Sequence, residues 1–465
     1  LAAGPGGFPG APPLHRLARG VSLRLLAAAA GLGLGFAAAA AANTGLYLGL
    51  EEARVTGIYG TLRDDPRSLS GGRGMGVIEL KGLAGPGGLR ASARGKIPVF
   101  FPPEALSRLR GFGRGCEIYA EGALVSASDP SPDPSRGGIS FRSRSVHVTV
   151  SAPAPERFRS ALRLRIIEGF SRLSAGPNLL PFGGLSLALL LGVRDNLDTE
   201  FARGYRDAGC SHVLALSGMH LAILSSIIAF CLKKPLGLRA AALLGALFIL
   251  LYVLLVGPQP SLVRAALMYF LGTLTVLKAL PRRALELLAL AFLLQILLDP
   301  PSGYSLSFLL SYLALAGILI LGEIFLDLLR GILPQGLAQS LAASLGAFVA
   351  TWAFTAASFG VLRPVGILAG LFIVPLTTLF MALSLGALFL NLFLPFLTGP
   401  VDVLRISLSL LYGILERLVS FAGRVPAFPV YSLFPAFIAT GMVTVLLLCL
   451  KIKYIPRRRY LAPFD

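Results

Sequence analysis

Residues 211–232 read SHVLALSGMHLAILSSIIAFCL, a run with no Asp, Glu, Lys or Arg but with two histidines, four serines and a glycine. At 1.5 Å per residue a helix of that length reaches about 33 Å, enough for the roughly 30 Å hydrocarbon core of a bilayer. The stretch is expected to cross a membrane, and its polar residues raise the question of what they do there. Similar apolar runs follow at 238–256, 260–279, 284–298, 304–322, 338–359, 364–393, 401–421 and 431–450, and one precedes it at about 22–48. The expected fold class is a polytopic α-helical membrane protein of ten spans. Composition agrees, since only 14% of the 465 residues are charged and 55% are hydrophobic, whereas a soluble domain carries about 25% charge. The 364–393 run is too long for one straight span and contains Pro375, so it is expected to be kinked, tilted or re-entrant.

The formal net charge is +19. Its basic clusters sit between apolar runs: Arg16, Arg19 and Arg24; Lys233, Lys234 and Arg239; Lys278, Arg282 and Arg283; Lys451, Lys453 and Arg457 to Arg459. Cytoplasmic loops collect such residues, which explains most of the excess and leaves polyanion binding as a secondary inference. The same rule sets both termini inside. Cys116, Cys210, Cys231 and Cys449 are scattered without a CxxC pair, a spacing that supports neither a zinc site nor a disulfide framework.

The chain divides by character. Residues 1–20 are Pro- and Gly-rich and expected to be disordered, and 21–50 hold the first span. Residues 51–155 lack long apolar runs and carry alternating stretches such as ARVTGIYGTL, MGVIELKGL, GKIPVFF, CEIYAEGALVS and ISFRSRSVHVTV. Five or so short strands with turn signals predict a small β-barrel or sandwich outside the membrane, inserted after the first span. Residues 156–210 read as amphipathic helices, one over 156–173 with Phe158, Leu162, Ile166 and Phe170 every four positions and one over 197–209. The first fits an interfacial helix and a helix packed over the barrel equally well. Residues 211–450 form the transmembrane region, and 451–465 a basic cytoplasmic tail.

His212 and His220 do not suit one metal ion, because eight residues of helix separate them by about 12 Å. Ser217 and His220 lie at i, i+3, a spacing an intramembrane serine hydrolase would need to turn into nucleophile and base. Packing explains Ser217 and Gly218 more readily than it explains a mid-membrane histidine. Arg264, Asp299, Ser307 and Ser311 are further polar residues near one side of the membrane. Arg264 and Asp299 are expected to pair, and Ser307 and Ser311 to form a small polar stripe at i, i+4 along a wet path.

Five segments together resemble the ComEC family of competence proteins. YRDAGCSHVLALSGMHLAIL (205–224) is similar to that family's signature at Gly209, Ser211, His212, Ala215, Ser217, Gly218 and His220. ALLLGVRDNLDTEFARGYRDAG resembles the segment before it, and PSLVRAALM matches another element through Pro260, Ser261, Arg264 and Ala265. DPPSGYSLSFLLSYLALAGI and SFGVLRPVGILAGLFIVPLTTL resemble two more, with Leu309 and Gly370 where the family usually has Gln and Asn. The resemblance covers about 185–385, and GTLRDDPR looks like the opening of the family's outside OB-like domain.

The resemblance implies a channel, not an enzyme and without cofactors or metal, that passes single-stranded DNA across the cell inner membrane during natural transformation. His212, Ser217, Gly218, His220, Arg264, Asp299, Ser307 and Ser311 would line the path. An OB fold holds single strands with basic residues and stacked aromatics. The candidates are Arg63, Arg73, Arg94, Lys96 and Arg114 with Phe101, Phe112 and Tyr119, then Tyr59, Phe100 and Phe141, any of which barrel packing would also explain. Family members often add a C-terminal β-lactamase-like domain. The chain stops at Asp465 without one, so a separate nuclease, a DNA-receptor protein and a cytoplasmic ATPase or helicase are the expected partners, with the lipid bilayer. A transporter of another anionic solute and the Ser217/His220 hydrolase stay open as alternatives.

Overall fold

The computed structural model describes residues 46–69, 73–125, 139–174, 181–216, 218–279, 284–394, 396 and 398–430. The expected first span up to residue 45, the last span at 431–450, both tails, Arg282, Arg283 and Ser217 lie outside the described residues, while Tyr47–Leu48 at the end of that expected span are a strand.

The N-terminal part is a mixed sheet domain. Its strands are β1 (Tyr47–Leu48), β2 (Gly57–Leu62), β3 (Arg67–Ser68), β4 (Gly74–Ala84), β5 (Arg90–Arg94), β6 (Lys96–Phe101), β7 (Glu117–Val125) and β8 (Ser140–Val150), with helix α1 (Pro103–Phe112) between β6 and β7. β2 pairs antiparallel with β4 and β7, β7 with β8, and β4 with β6, while β6 and β8 run parallel. The pairings among β4, β2, β7, β8 and β6 therefore return to their start. Strict alternation builds the core: Ile58, Leu62, Ile78, Ile97, Val99, Ile118 and Phe141 are fully buried, and their strand neighbours face outward. Phe101 falls in the same inward register at 1% exposure. It cannot stack on a base without leaving the core, which corrects its place among the strand-binding aromatics; Phe141 is corrected likewise.

Helix α2 (Ala154–Ser174) follows. Its residues spaced by four do not form one stripe, because each step of four advances about 400° on a helix that turns about 100° per residue. Phe158 is 73% exposed and Leu162 40%, while Ile166, Phe170 and Leu173 enter the core of the helical part. The buried face carries Arg159 instead.

The helical part continues with α3 (Phe182–Leu191), α4 (Thr199–Asp207), the single turn α5 (Ser211–Leu214), α6 (Gly218–Val256), α7 (Pro260–Leu277), α8 (Ala284–Leu298), α9 (Leu306–Leu329), α10 (Gln335–Phe359), the short strand β9 (Val361–Leu362), α11 (Val365–Phe393), α12 (Thr398–Ala422) and the short strand β10 (Phe428–Pro429), which pairs with β9. Among the described residues five segments are long and apolar enough to cross a membrane: Leu232–Val256, Pro260–Leu277, Leu306–Leu329, Gln335–Phe359 and Val365–Phe393. α6 loses helical geometry at Gly237 (φ +78) beside Pro235, between the two runs read from the sequence. α11 runs through Pro375 as one helix. The 284–298 run is a 15-residue helix, shorter than a usual span. α9 and α10 approach closely at Gly317 and Gly346, where a Cβ on Gly317 would lie 2.3 Å from the Gly346 carbonyl oxygen.

One core joins α2, α3, α4, α6, α7, α11 and α12. Gly209 secures its edge at φ +71, with Arg363 O and the Gly366 Cα each 3.0 Å from where a Cβ would sit. Gly209→Ala is expected to lower stability by about 1–2 kcal/mol from left-handed strain alone, read as a lower Tm in detergent. An unchanged Tm would mean that this joint yields.

Candidate functional site

The 211–232 stretch is not one span. α5 ends at Leu214, Ala215 takes an extended backbone (ψ 136), and helix resumes at Gly218. An interrupted, buried backbone needs partners for its freed polar groups. Here Arg194 donates to the Leu214 carbonyl (3.0 Å) and Ser261 Oγ to the Leu216 carbonyl (2.7 Å).

This interruption lies at the floor of a cavity of about 1050 Å³ between the sheet domain and the helices. The β2–β4 segment 61–69 forms one wall, α2 and the loop after α3 another, and Leu216, Gln259, Pro260 and Ser307 the base. Six arginines line it (Arg63, Arg67, Arg110, Arg114, Arg163 and Arg194) with four acids, Asp64, Asp65, Glu156 and Asp195. Several of these groups hold the two parts together. Asp65 accepts from Arg159 Nη1 (2.9 Å) and Arg163 Nη1 (3.0 Å), and Glu156 takes Arg114 through Nε (3.0 Å) and Nη2 (2.9 Å). Arg110 pairs with Asp195, whose other oxygen accepts from the Ser68 amide at 3.0 Å. Burial pushes the Asp65 carboxyl up, but hydrogen bonds from Arg159 and the charges of Arg163, Arg159 and Arg114 outweigh it and hold it below the usual carboxylate range. Glu156 is held low in the same way, burial being outweighed by Arg114 and Arg159.

Below the floor lies a polar cluster between α6, α7, α8 and α9. Arg264 is 8% exposed; its Nη1 donates to the Ser311 carbonyl, and its guanidinium carbon lies 5.7 Å from the Tyr312 ring centre. The Tyr312 hydroxyl donates to Gln295 Oε1 (2.8 Å), and Gln295 Nε2 donates to the Pro260 carbonyl (3.0 Å). A Cβ on Gly218 would sit 3.0 Å from Arg264 Nη2, so glycine at the start of α6 leaves room for the guanidinium. His220 is buried two residues further along α6.

Of the path residues expected from sequence, the structure brings Gly218, Arg264 and Ser311 together, buries His220 beside them on α6 and sets Ser307 in the cavity above. His212 and Asp299 are exposed and do not line the cavity. Among the described residues Arg264 has no ion pair with Asp299, because Arg264 faces α9 while Asp299 lies beyond the exposed end of α8. In the sheet domain Arg63 and Arg114 line the cavity, whereas Arg73, Arg94, Lys96, Phe112 and Tyr119 do not. Arg63 pairs with Glu79 at 2.5 Å, and Tyr59 donates to Glu117. Sequence reasoning misses Gln295 and Tyr312, although a single amide within the apolar run AFLLQILL is a visible signal. Arg163 and Arg194 carry no signal beyond their charge.

The family described as Competence protein matches residues 189–455. ComE operon protein 3 of Bacillus subtilis (strain 168) is 33% identical over 172 residues, covering 35% of this chain and 21% of that protein. An uncharacterized protein of Aquifex aeolicus (strain VF5) is 32% identical over 249 residues, covering 52% of this chain and 55% of its own length. The matched parts thus span about a fifth and about half of these two relatives. No solved structure matches the chain.

Proposed function

The chain belongs to the competence protein family, as a ComEC-type protein, and from that premise we propose that it conducts single-stranded DNA across the inner membrane into the cytoplasm during natural transformation. The observation that carries this reading is the arginine-lined cavity whose floor is the helix break at Ala215 and Leu216. A polyanion is drawn into such a funnel by charge, and a single strand needs a continuous basic groove rather than base-specific contacts. The route runs from the cavity past Ser307 to Gly218, His220, Arg264 and Ser311, with the Gln295–Tyr312 pair bracing the arginine.

In this reading the sheet domain is an OB-like barrel outside the membrane. The closed circuit of pairings, with a helix between its third and fourth strands and a parallel third–fifth pair, supports it. Both termini are cytoplasmic, in keeping with the basic residues expected there. A nuclease, a DNA-receptor protein and a cytoplasmic ATPase or helicase are its proposed partners.

Deleting the gene in its host and scoring entry of labelled DNA tests the reading. Uptake is expected to disappear and to return with the wild-type gene. Undiminished uptake would reject the channel in favour of a carrier for another anion. Complementation with Ser217→Ala is expected to restore uptake, and its failure with the protein present would favour hydrolase chemistry.

A further inference from the structure

Resting on the reading of the cavity as a polynucleotide entrance, we propose that Arg67 and Arg194 form a subsite for a backbone phosphodiester on its wall. Four of the six cavity arginines are engaged by carboxylates: Arg63 by Glu79, Arg110 by Asp195, Arg114 by Glu156 and Arg163 by Asp65. Among the described residues Arg67 and Arg194 have no carboxylate within ion-pair distance, although both line the cavity. Asp64 also lines it, as an exposed acid outside these pairs.

The two arginines converge from different parts of the molecule. Arg67 sits on β3, whose next residue, Ser68, donates its amide to Asp195 across the cavity. Arg194 precedes Asp195, so that hydrogen bond sets the two side by side. Arg194 is further oriented by the Leu214 carbonyl, which leaves the rest of its planar fork of donors for a ligand. Burial is the main reason that Arg194 and Arg163 are held below the usual arginine range, and the like charge of Arg67 adds to it. A phosphodiester monoanion relieves that repulsion and matches the geometry of a guanidinium pair. Such a contact is blind to base identity, as the entrance of a general uptake path requires.

The test is binding of a fluorescent single-stranded oligothymidylate to the full chain in neutral-lipid nanodiscs, read by anisotropy across a salt series. The wild type is expected to bind, with log K falling linearly in log salt. Arg67→Ala/Arg194→Ala is expected to lose at least about tenfold in affinity and to flatten the slope by about 0.7 for each phosphate that is no longer neutralised. Arg67→Lys/Arg194→Lys, which keeps the charge, is expected to retain most of the slope and so to separate ligand loss from misfolding. Arg90→Ala, on exposed β5 away from the cavity, is expected to match the wild type. Wild-type binding with an unchanged slope in the double Ala variant would overturn the subsite and leave the channel reading standing. A wild type that does not bind would overturn both. If anionic-lipid nanodiscs abolish the effect of the double Ala variant, the pair serves a lipid headgroup and the assignment to nucleic acid fails.

Discussion

Asp65→Asn is expected to destabilise the seating of the sheet domain on the helices by about 3 kcal/mol, the lower end for breaking a buried ion pair on one side. Asp65 lies in the loop after β2, and its partners Arg159 and Arg163 both come from α2. Arg159 is 6% exposed, so water cannot replace the lost carboxylate. Its remaining acid, Glu156, is already shared with Arg114. Arg163 keeps only backbone carbonyls, at Val256 and Leu191. Thermal unfolding in detergent, with proteolysis between β8 and α2 as a second readout, measures the loss. A variant as stable as the wild type would show that the cavity walls are held by apolar packing alone.

The same carboxylate makes a pH prediction. Asp65 and Glu156 are both held below their ordinary values in the fold. The stability they contribute is complete above the unfolded carboxylate range near pH 4 and is lost as pH falls through their lower folded values. Wild-type stability should therefore decline steeply below about pH 4, and Asp65→Asn should decline less over the same interval.

Arg264→Met is expected to leave the protein as stable as the wild type, or more so, while cutting DNA uptake at least about tenfold. A buried arginine with no carboxylate partner among the described residues is expensive, and replacing such a charge with an apolar side chain of similar length is often neutral or stabilising. Its Nη1 reaches only a backbone carbonyl, and its Nε has no hydrogen-bond partner among the described residues. If packing were its purpose, methionine would serve as well. A charged hydrogen bond to a passing phosphate is worth about 1.5–3 kcal/mol, and each 1.4 kcal/mol is a factor of ten. Uptake unchanged in a stable Arg264→Met protein would remove this residue from the path.

These two residues also mark what a sequence discloses. Arg264 was legible because a charge inside an apolar run is a local signal, as were the runs that became α6, α7, α9, α10 and α11. The Asp65 clamp was not, because its partners lie 94 and 98 residues away and nothing in either segment names the other. Phe101 looked like a stacking candidate until its register on β6 turned it inward. The apolar residues of α2 are four apart, and only packing reveals that their drift leaves Phe158 outside and Arg159 inside. The break at Ala215 and Leu216 has no local signal in the sequence, because it depends on Arg194 and Ser261, which hold the Leu214 and Leu216 carbonyls.

The most direct test of the proposed route is photo-crosslinking. A photoreactive amino acid placed at Leu216 or Gln259, both at the cavity floor, is exposed to labelled single-stranded DNA in the full chain in nanodiscs. Crosslinks are expected at both positions and absent from Leu251, 56% exposed on the outer face of α6. DNA that binds yet crosslinks at Leu251 as readily as at Leu216, or at neither floor position, would contradict a path through the broken helix.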